Sequence, residues 1–314
     1  MTSYHEPVLL GEVMGFWLKQ NPGVYVDCTT GGGGHSAAML AQLKPESTLH
    51  CLDRDSDALA HAGQILTSDS VSVVFHHNAF AQLASCVEPC SVDGILYDLG
   101  VSSHQIDEAS RGFTMQSSAQ ALDMRMDRRE EVSAQEWLTD TSDDEIIRAL
   151  RENADMDRAP SLVRKMREVF AQAREEGETE ITVKQIRTAV DSVFRDRRFD
   201  QNSLMARVLQ AIRMEINEEM PQVRTSLQAA VEALRPGGRL VVITYHSVED
   251  RCVKLTMAEF ERDCFCPPRY PQCVCGGNHR KVRKLLRKPG LPTAEEIRRN
   301  PRARSAKLRV YEKV

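Results

Sequence analysis

Three acids and a run of glycines are the residues of this chain whose types and spacing could do chemistry together. The stretch "VDCTTGGGGHS", Val26 to Ser36, ends an apolar run in Asp27 and follows it with four consecutive glycines. Asp53 ends "TLHCLD", and Asp98 ends "DGILYD". Each glycine loses more conformational freedom on folding than any other residue, so a run of four costs stability. The compensating gain is close approach, of a ligand or of the following helix, to a main chain without Cβ atoms.

Two cofactors use a glycine-rich turn of this kind. Gly32-x-Gly34-x-x-Ala37 satisfies the dinucleotide fingerprint, and Asp53 lies nineteen positions after Gly34, where nicotinamide-dinucleotide binding wants an acid. The rival is S-adenosylmethionine, whose methionine end lies over the same turn while an acid ending the second strand holds the ribose hydroxyls. Three features favour the methyl donor. Asp27 runs directly into the turn, where a pyrophosphate at a helix N-terminus would be repelled by an anion. "PGGRLVVI" (236–243) is a common entry into the fifth strand of methyltransferases. Asp98 precedes "LGVSS", where enzymes that methylate amines place a polar acceptor. Plainer readings stay open: the glycines serve tight helix packing only, and Asp53 caps the helix containing Asp57. An oxidoreductase and a non-catalytic RNA-binding assembly factor are the competing functions.

The elements that must position these residues alternate. "VYVD" (24–27), "TLHCLD" (48–53), "VSVVFH" (71–76) and "DGILYD" (93–98) read as buried strands, with helical spacing in "HSAAMLAQL" and "DALAHAGQIL" between them. Such alternation means βαβ units and a parallel sheet, whose ligands bind beyond the carboxyl ends of the strands. All three acids fall at those ends. From Asp107 to Ser203 the chain turns polar and helical, without a convincing strand. It reads as a helical substrate-recognition insertion (107–203) between two parts of an α/β domain (1–106 and 204–314). A long helix broken near Pro221, a fifth strand in "PGGRLVVITYHS", a helix in "VEDRCVKLTMAEFERD" and a final strand in "SAKLRVYEKV" complete the expected order.

The 314 residues, 41% hydrophobic and 27% charged, have ordinary globular composition. Glu6 and Glu12 stand where a secretory signal would be basic, and no apolar run approaches the roughly 20 residues of a membrane helix. With nine cysteines, this predicts reduced thiols in a cytoplasmic protein without a membrane partner. Charge is segregated. Asn278 to Arg309 holds twelve Lys/Arg and two Glu, a local +10, which leaves about −14 elsewhere in a chain of net −4 and suggests a polyanion contact. Cys264-x-Cys266 and Cys273-x-Cys275, six residues apart around "PPRYPQ", could supply four thiolates to zinc, with His279 as a spare ligand. Plain reduced thiols and a disulfide remain the alternatives.

Together the stretches "HEPVLLGEV", "DCTTGGGGHS", "LDRD", "DGILYDLGVSSHQID", "RGFTMQ", "LDMRMD", "ARVLQAIRMEIN", "LRPGGRLVVITYHSVEDRCVK" and "NPRARSAKLRVYEK" resemble the RsmH (MraW) family, in the family's order and over nearly the whole chain. That resemblance implies a Rossmann-like, seven-stranded, mostly parallel methyltransferase fold with a helical insertion after strand four. It implies S-adenosylmethionine-dependent methylation of N4 of a cytidine in the decoding region of 16S (small-subunit) rRNA, within the small ribosomal subunit. Carried over by position, Gly33, Gly34 and His35 would contact the cofactor in the first turn. Asp53 would hold the ribose, Phe80 in "NAFAQL" would border the adenine, and Asp98 and Gln105 would complete the site. Asp98 is the first choice for the acceptor of the target amine, aided by the main chain of Leu99 and Gly100. Arg125, Arg302 and Arg304 are candidate RNA contacts; His246 is more readily structural than catalytic. Oligomeric state is left open, a homodimer included. One departure is "SSAQA" (117–121), where the family commonly has an Asp-Gly-Pro turn before "LDMRMD".

Overall fold

The computed structural model of the chain describes residues 7–115, 121–195, 200–267 and 270–314. The loop that replaces the family's Asp-Gly-Pro turn therefore lies outside the described residues, apart from Ala121. Two compact units form, Met1–Gly100 with Met220–Val314, and Val101–Glu219.

The first unit begins with α1 (Leu10–Trp17), β1 (Val24–Asp27), α2 (Gly34–Leu40), β2 (Thr48–Asp53), α3 (Ser56–Ile65), β3 (Ser72–His77) and β4 (Val92–Asp98). A short 3-10 turn, Phe80–Ser85, stands where a third crossover helix would be. Strand β4 is buried nearly throughout, as expected of a strand covered on both faces. Gly94 sits inside it because a Cβ there would come within 2.7 Å of the Trp17 carbonyl, so α1 can press directly onto the sheet.

The second unit contains α4 (Ser103–Asp107), α5 (Ala134–Asp140), α6 (Asp143–Ala154), α7 (Ala159–Glu175), α8 (Val183–Val193) and α9 (Gln201–Ile216). Capping boxes start α5 at Ser133 and α8 at Thr182, each satisfying otherwise orphaned N–H groups. Its own apolar core runs through Leu138, Leu150, Met166, Ile186, Val208 and Ile212. Extended pairing in it, among the described residues, amounts to a bridge between Ala121 and Thr182.

The first unit then resumes with α10 (Glu219–Ala233), β5 (Leu234–Thr244), α11 (Ser247–Glu261), β6 (Val282–Lys284), α12 (Ala294–Arg299) and β7 (Lys307–Lys313). The long helix breaks near Pro221 as expected, the turn itself falling at Asn217 and Glu218. Glu218 takes a left-handed φ of 48°, and Pro221 lies in the first turn of α10, where its missing N–H costs little.

Sheet order is β3-β2-β1-β4-β5-β7-β6. Strands β1 to β5 pair in parallel, and β7 runs antiparallel to both β5 and β6. A dinucleotide-binding sheet orders its strands 3-2-1-4-5-6, all parallel. The antiparallel β7 between β5 and β6 departs from that and matches the seven-stranded methyltransferase arrangement. The nicotinamide alternative loses its architectural support.

Candidate active site

Strands β1, β2 and β4 are neighbours, so parallel pairing brings Asp27, Asp53 and Asp98 to one edge of the sheet. The glycine run leaves β1 at that edge. Gly31 and Gly33 take left-handed φ values of 51° and 80°, and a Cβ on Gly33 would sit 3.1 Å from Ile65 Cδ1. Helix packing and backbone conformation therefore both demand glycine at position 33. Gly34 opens α2 with Pro7 against it.

Asp27 is architectural. Its buried carboxylate accepts a 2.6 Å hydrogen bond from Ser36 Oγ and one from the Thr29 N–H, fastening the turn to α2. Burial raises its pKa, and the charge of Asp98 adds to the rise.

Asp53 is built differently. Oδ2 accepts from the Gly31 N–H at 2.7 Å, and Oδ1 from the Asp55 N–H at 2.9 Å. Desolvation pushes its carboxyl up to about 6, against the pull of those donors. The helix cap that Asp53 was an alternative for is supplied by Asp55, which accepts from the Asp57 N–H. Each Asp53 oxygen spends one bond on the main chain and retains acceptor capacity for a vicinal diol. That fits a ribose.

Asp98 is held from two sides. Tyr245 Oη donates to Oδ1 at 2.7 Å, and His35 Nδ1 lies 3.6 Å from Oδ2. The Asp98 N–H donates to Thr29 Oγ1 at 2.6 Å. The Leu99 N–H is committed to the Ile243 carbonyl, so it offers no donor. His35 is buried and joins the Val8 carbonyl through Nε2 at 3.0 Å, which requires the proton on that nitrogen. Its role in the first turn is to tie the N-terminal segment to the Asp98 neighbourhood. Tyr245, the residue after β5 in "PGGRLVVITYHS", was not among the expected site residues. Burial and the adjacent Asp98 anion push its phenol well above its usual range, so it remains a donor.

Phe80 is half-buried and packs edge-on against Tyr97, with ring centroids 5.9 Å apart. Its main-chain carbonyl accepts from Ser226 Oγ, which pins the turn. A planar aromatic so fixed is suited to an adenine. Gln105 belongs to the helical unit, on α4, and accepts the Ser102 N–H at 3.0 Å. His246 caps α11: its Nδ1 accepts the Glu249 N–H. Arg125 is clasped by both oxygens of Asp123, a bidentate pair that lowers the Asp123 pKa. Of the twelve basic residues between Asn278 and Arg309, at least four meet carboxylates: Arg283 with Glu312, Lys284 with Glu261, and Lys307 and Arg309 with Asp250. The positive surface is therefore smaller than the residue count implied.

No described helix is long and apolar enough to cross a membrane. The sequence profile of the MraW methylase family matches residues 2–314. A protein of Heliobacterium modesticaldum named ribosomal RNA small subunit methyltransferase H is 41% identical over 320 residues, covering 100% of both chains. Proteins of the same name from Symbiobacterium thermophilum and a Paenibacillus species are 39% and 40% identical. They match over 100% and 99% of this chain and 98% and 99% of their own.

Proposed function

The chain belongs to the MraW methylase family, and from that premise we propose that its S-adenosylmethionine-dependent methyl transfer is directed at N4 of one cytidine in the decoding region of 16S rRNA, carried by the small ribosomal subunit. The observation that supports this reading best is the setting of Asp98. It ends the strand next to the glycine turn, with Tyr245 on one oxygen and His35 beside the other. S-adenosylmethionine, when bound, supplies an electrophilic methyl on a sulfonium whose charge is lost in the reaction.

The protein's contributions follow from its residues. Gly33 and Gly34 give the methionine end access to the main chain, Asp53 holds the ribose hydroxyls, and Phe80 borders the adenine. A cytosine amine is a weak nucleophile because its lone pair is delocalised into the ring. Asp98 accepts a hydrogen bond from that amine, helps localise the lone pair and takes the proton as the C–N bond forms. Tyr245 fixes the carboxylate's orientation, and alignment supplies much of the remaining rate. The base has to leave its stack to reach the site.

The helical insertion and the basic C-terminal segment are the RNA-recognition surfaces in this reading. On the helical unit, an open polar cleft is lined by Arg158, Arg164, Lys165 and Arg195 together with Glu168, which pairs with Lys165 at 2.9 Å; the net positive lining suits a phosphate backbone. Labelled methyl donor offered to unmethylated small subunits, large subunits and free rRNA tests the proposal. Small subunits should accept about one methyl each, and the other two little. Equal labelling of a short unstructured RNA with the same cytidine would refute recognition of the particle.

A further inference from the structure

Between α11 and β6 the chain passes through residues 262–281, whose described part forms no helix or strand. Apolar packing does not hold this segment: Phe265 and Tyr270 are each 49% exposed and Val274 is 74% exposed. Sulfur converges instead. Cys264 Sγ lies 3.5 Å from Cys273 Sγ and 3.5 Å from Cys275 Sγ, and Cys273 and Cys275 are 3.5 Å apart. Cys266 completes a group whose four sulfurs all lie within 4.8 Å of one another.

We propose that Cys264, Cys266, Cys273 and Cys275 form a tetrahedral thiolate site for a structural zinc ion. Zinc–sulfur bonds of about 2.3 Å place the sulfurs of a tetrahedron about 3.8 Å apart, close to the spacing found. Disulfide pairing would need about 2.0 Å, and all four thiols are free. The Cys-x-Cys spacing is accounted for by backbone geometry. Residues i and i+2 of an extended segment point to the same side. A Cys-x-Cys pair in that conformation offers two sulfurs to one centre. Pro267 begins the link between the two pairs, while Pro268 lies outside the described residues.

Backbone donors already point at the sulfurs. The Cys266 N–H donates to Cys264 Sγ at 3.4 Å and the Val274 N–H to Cys266 Sγ at 3.2 Å. Such N–H···S bonds orient ligands and spread thiolate charge. His279 stands outside the cluster: among the described residues the converging ligand atoms are the four sulfurs, and His279 Nε2 donates to the Cys275 carbonyl at 3.0 Å. Its ring packs on Phe265 with centroids 5.1 Å apart, and the Arg262 guanidinium lies 4.9 Å from the Phe265 ring centre. Four thiols release their protons as zinc binds, and four protein ligands leave no open position for water. The site is thus structural: it closes the loop from Cys264 to Cys275 into a knob that leaves Phe265, Tyr270 and Val274 at its surface.

The test uses the full-length chain made without a histidine tag and passed through metal-free buffer. Elemental analysis should find about one zinc per chain, and cobalt substitution should give the intense visible bands of a tetrahedral tetrathiolate. A Cys273→Ser, Cys275→Ser variant should lose the zinc, whereas Cys90→Ser, which removes an exposed thiol outside the cluster, should keep it. Should the double variant fail to fold, thiol labelling of the unmodified chain decides. Zinc must protect four thiols from modification and a chelator must unprotect them. Well under one zinc per chain, with the four thiols equally reactive before and after zinc is added, would overturn the proposal. A mass two or four units low, showing disulfides in the freshly purified protein, would overturn it too.

Discussion

Asp53→Ala separates a ribose-binding carboxylate from a merely structural one, because the two roles move different quantities. Two hydrogen bonds from ribose hydroxyls to an ionised carboxylate contribute about 1.5–3 kcal/mol each. Losing both weakens cofactor binding by about 3 kcal/mol at the low end, on the order of a hundredfold in Kd. Folding responds differently. The Asp53 carboxyl is raised from 3.8 to about 6 by burial, so its ionised form costs the folded state about 3 kcal/mol at neutral pH. The substitution removes that cost but leaves the Gly31 and Asp55 N–H groups without their acceptor, at about 1–3 kcal/mol each. These effects offset, and the unfolding free energy should change little. The sign in pH follows from the same shift. Because the folded pKa is raised, the folded state binds the extra proton: stability falls as pH rises from about 4 to about 6 and is level above. Cofactor binding needs the anion and runs the other way. By titration calorimetry, wild-type Kd should be flat above about pH 7 and rise roughly tenfold per unit below about 6, while the alanine variant shows no such dependence. A folded Asp53→Ala protein that binds S-adenosylmethionine within threefold of wild type, or a wild-type Kd independent of pH, would refute the reasoning.

Other outcomes follow from the same geometry. Asp98→Asn should lower kcat by at least tenfold with unfolding nearly unchanged, measured as single-turnover methyl transfer beside a thermal melt. Tyr245→Phe removes the donor on Asp98 Oδ1 and should lower kcat less than Asp98→Asn does, with KM for the cofactor little affected in steady-state assays. Gly33→Ala forces a Cβ into a left-handed backbone 3.1 Å from Ile65 Cδ1 and should cost about 1–2 kcal/mol of stability in chemical denaturation. Replacing Arg302 and Arg304 with glutamine should weaken RNA binding and make its salt dependence shallower, read as the slope of log K against log salt.

The chemistry-bearing edge was legible because β1 and β4 are buried nearly throughout and read, with the half-buried β2, as short apolar runs that each end in an acid. The end of the sheet was less so. Strand β6 is three residues, "VRK", of which Val282 alone is buried, and so short a polar segment carries no period. Pro221 marks the helix break to within a few residues, but not the turn itself. The chain instead turns at Asn217, whose side chain bonds to the Met126 N–H and the Met124 carbonyl, contacts distant in sequence. Tyr245 was hidden for a related reason. A tyrosine at a strand end reads as core until the neighbouring strand places Asp98 2.7 Å from its hydroxyl. The cysteine spacing raised zinc as one reading among several, but convergence of the sulfurs depends on a turn that spacing does not specify.

The most direct test of the central claim is the identity of the methylated nucleoside. Small subunits lacking the modification are incubated with the enzyme and a donor carrying a deuterated methyl group, and their rRNA is digested and analysed by tandem mass spectrometry. The account predicts one labelled nucleoside, N4-methylcytidine, mapping to a single decoding-region position and absent when Asp98→Asn protein is used. Label on carbon 5 of the base, on a ribose hydroxyl or on a different nucleoside would contradict it.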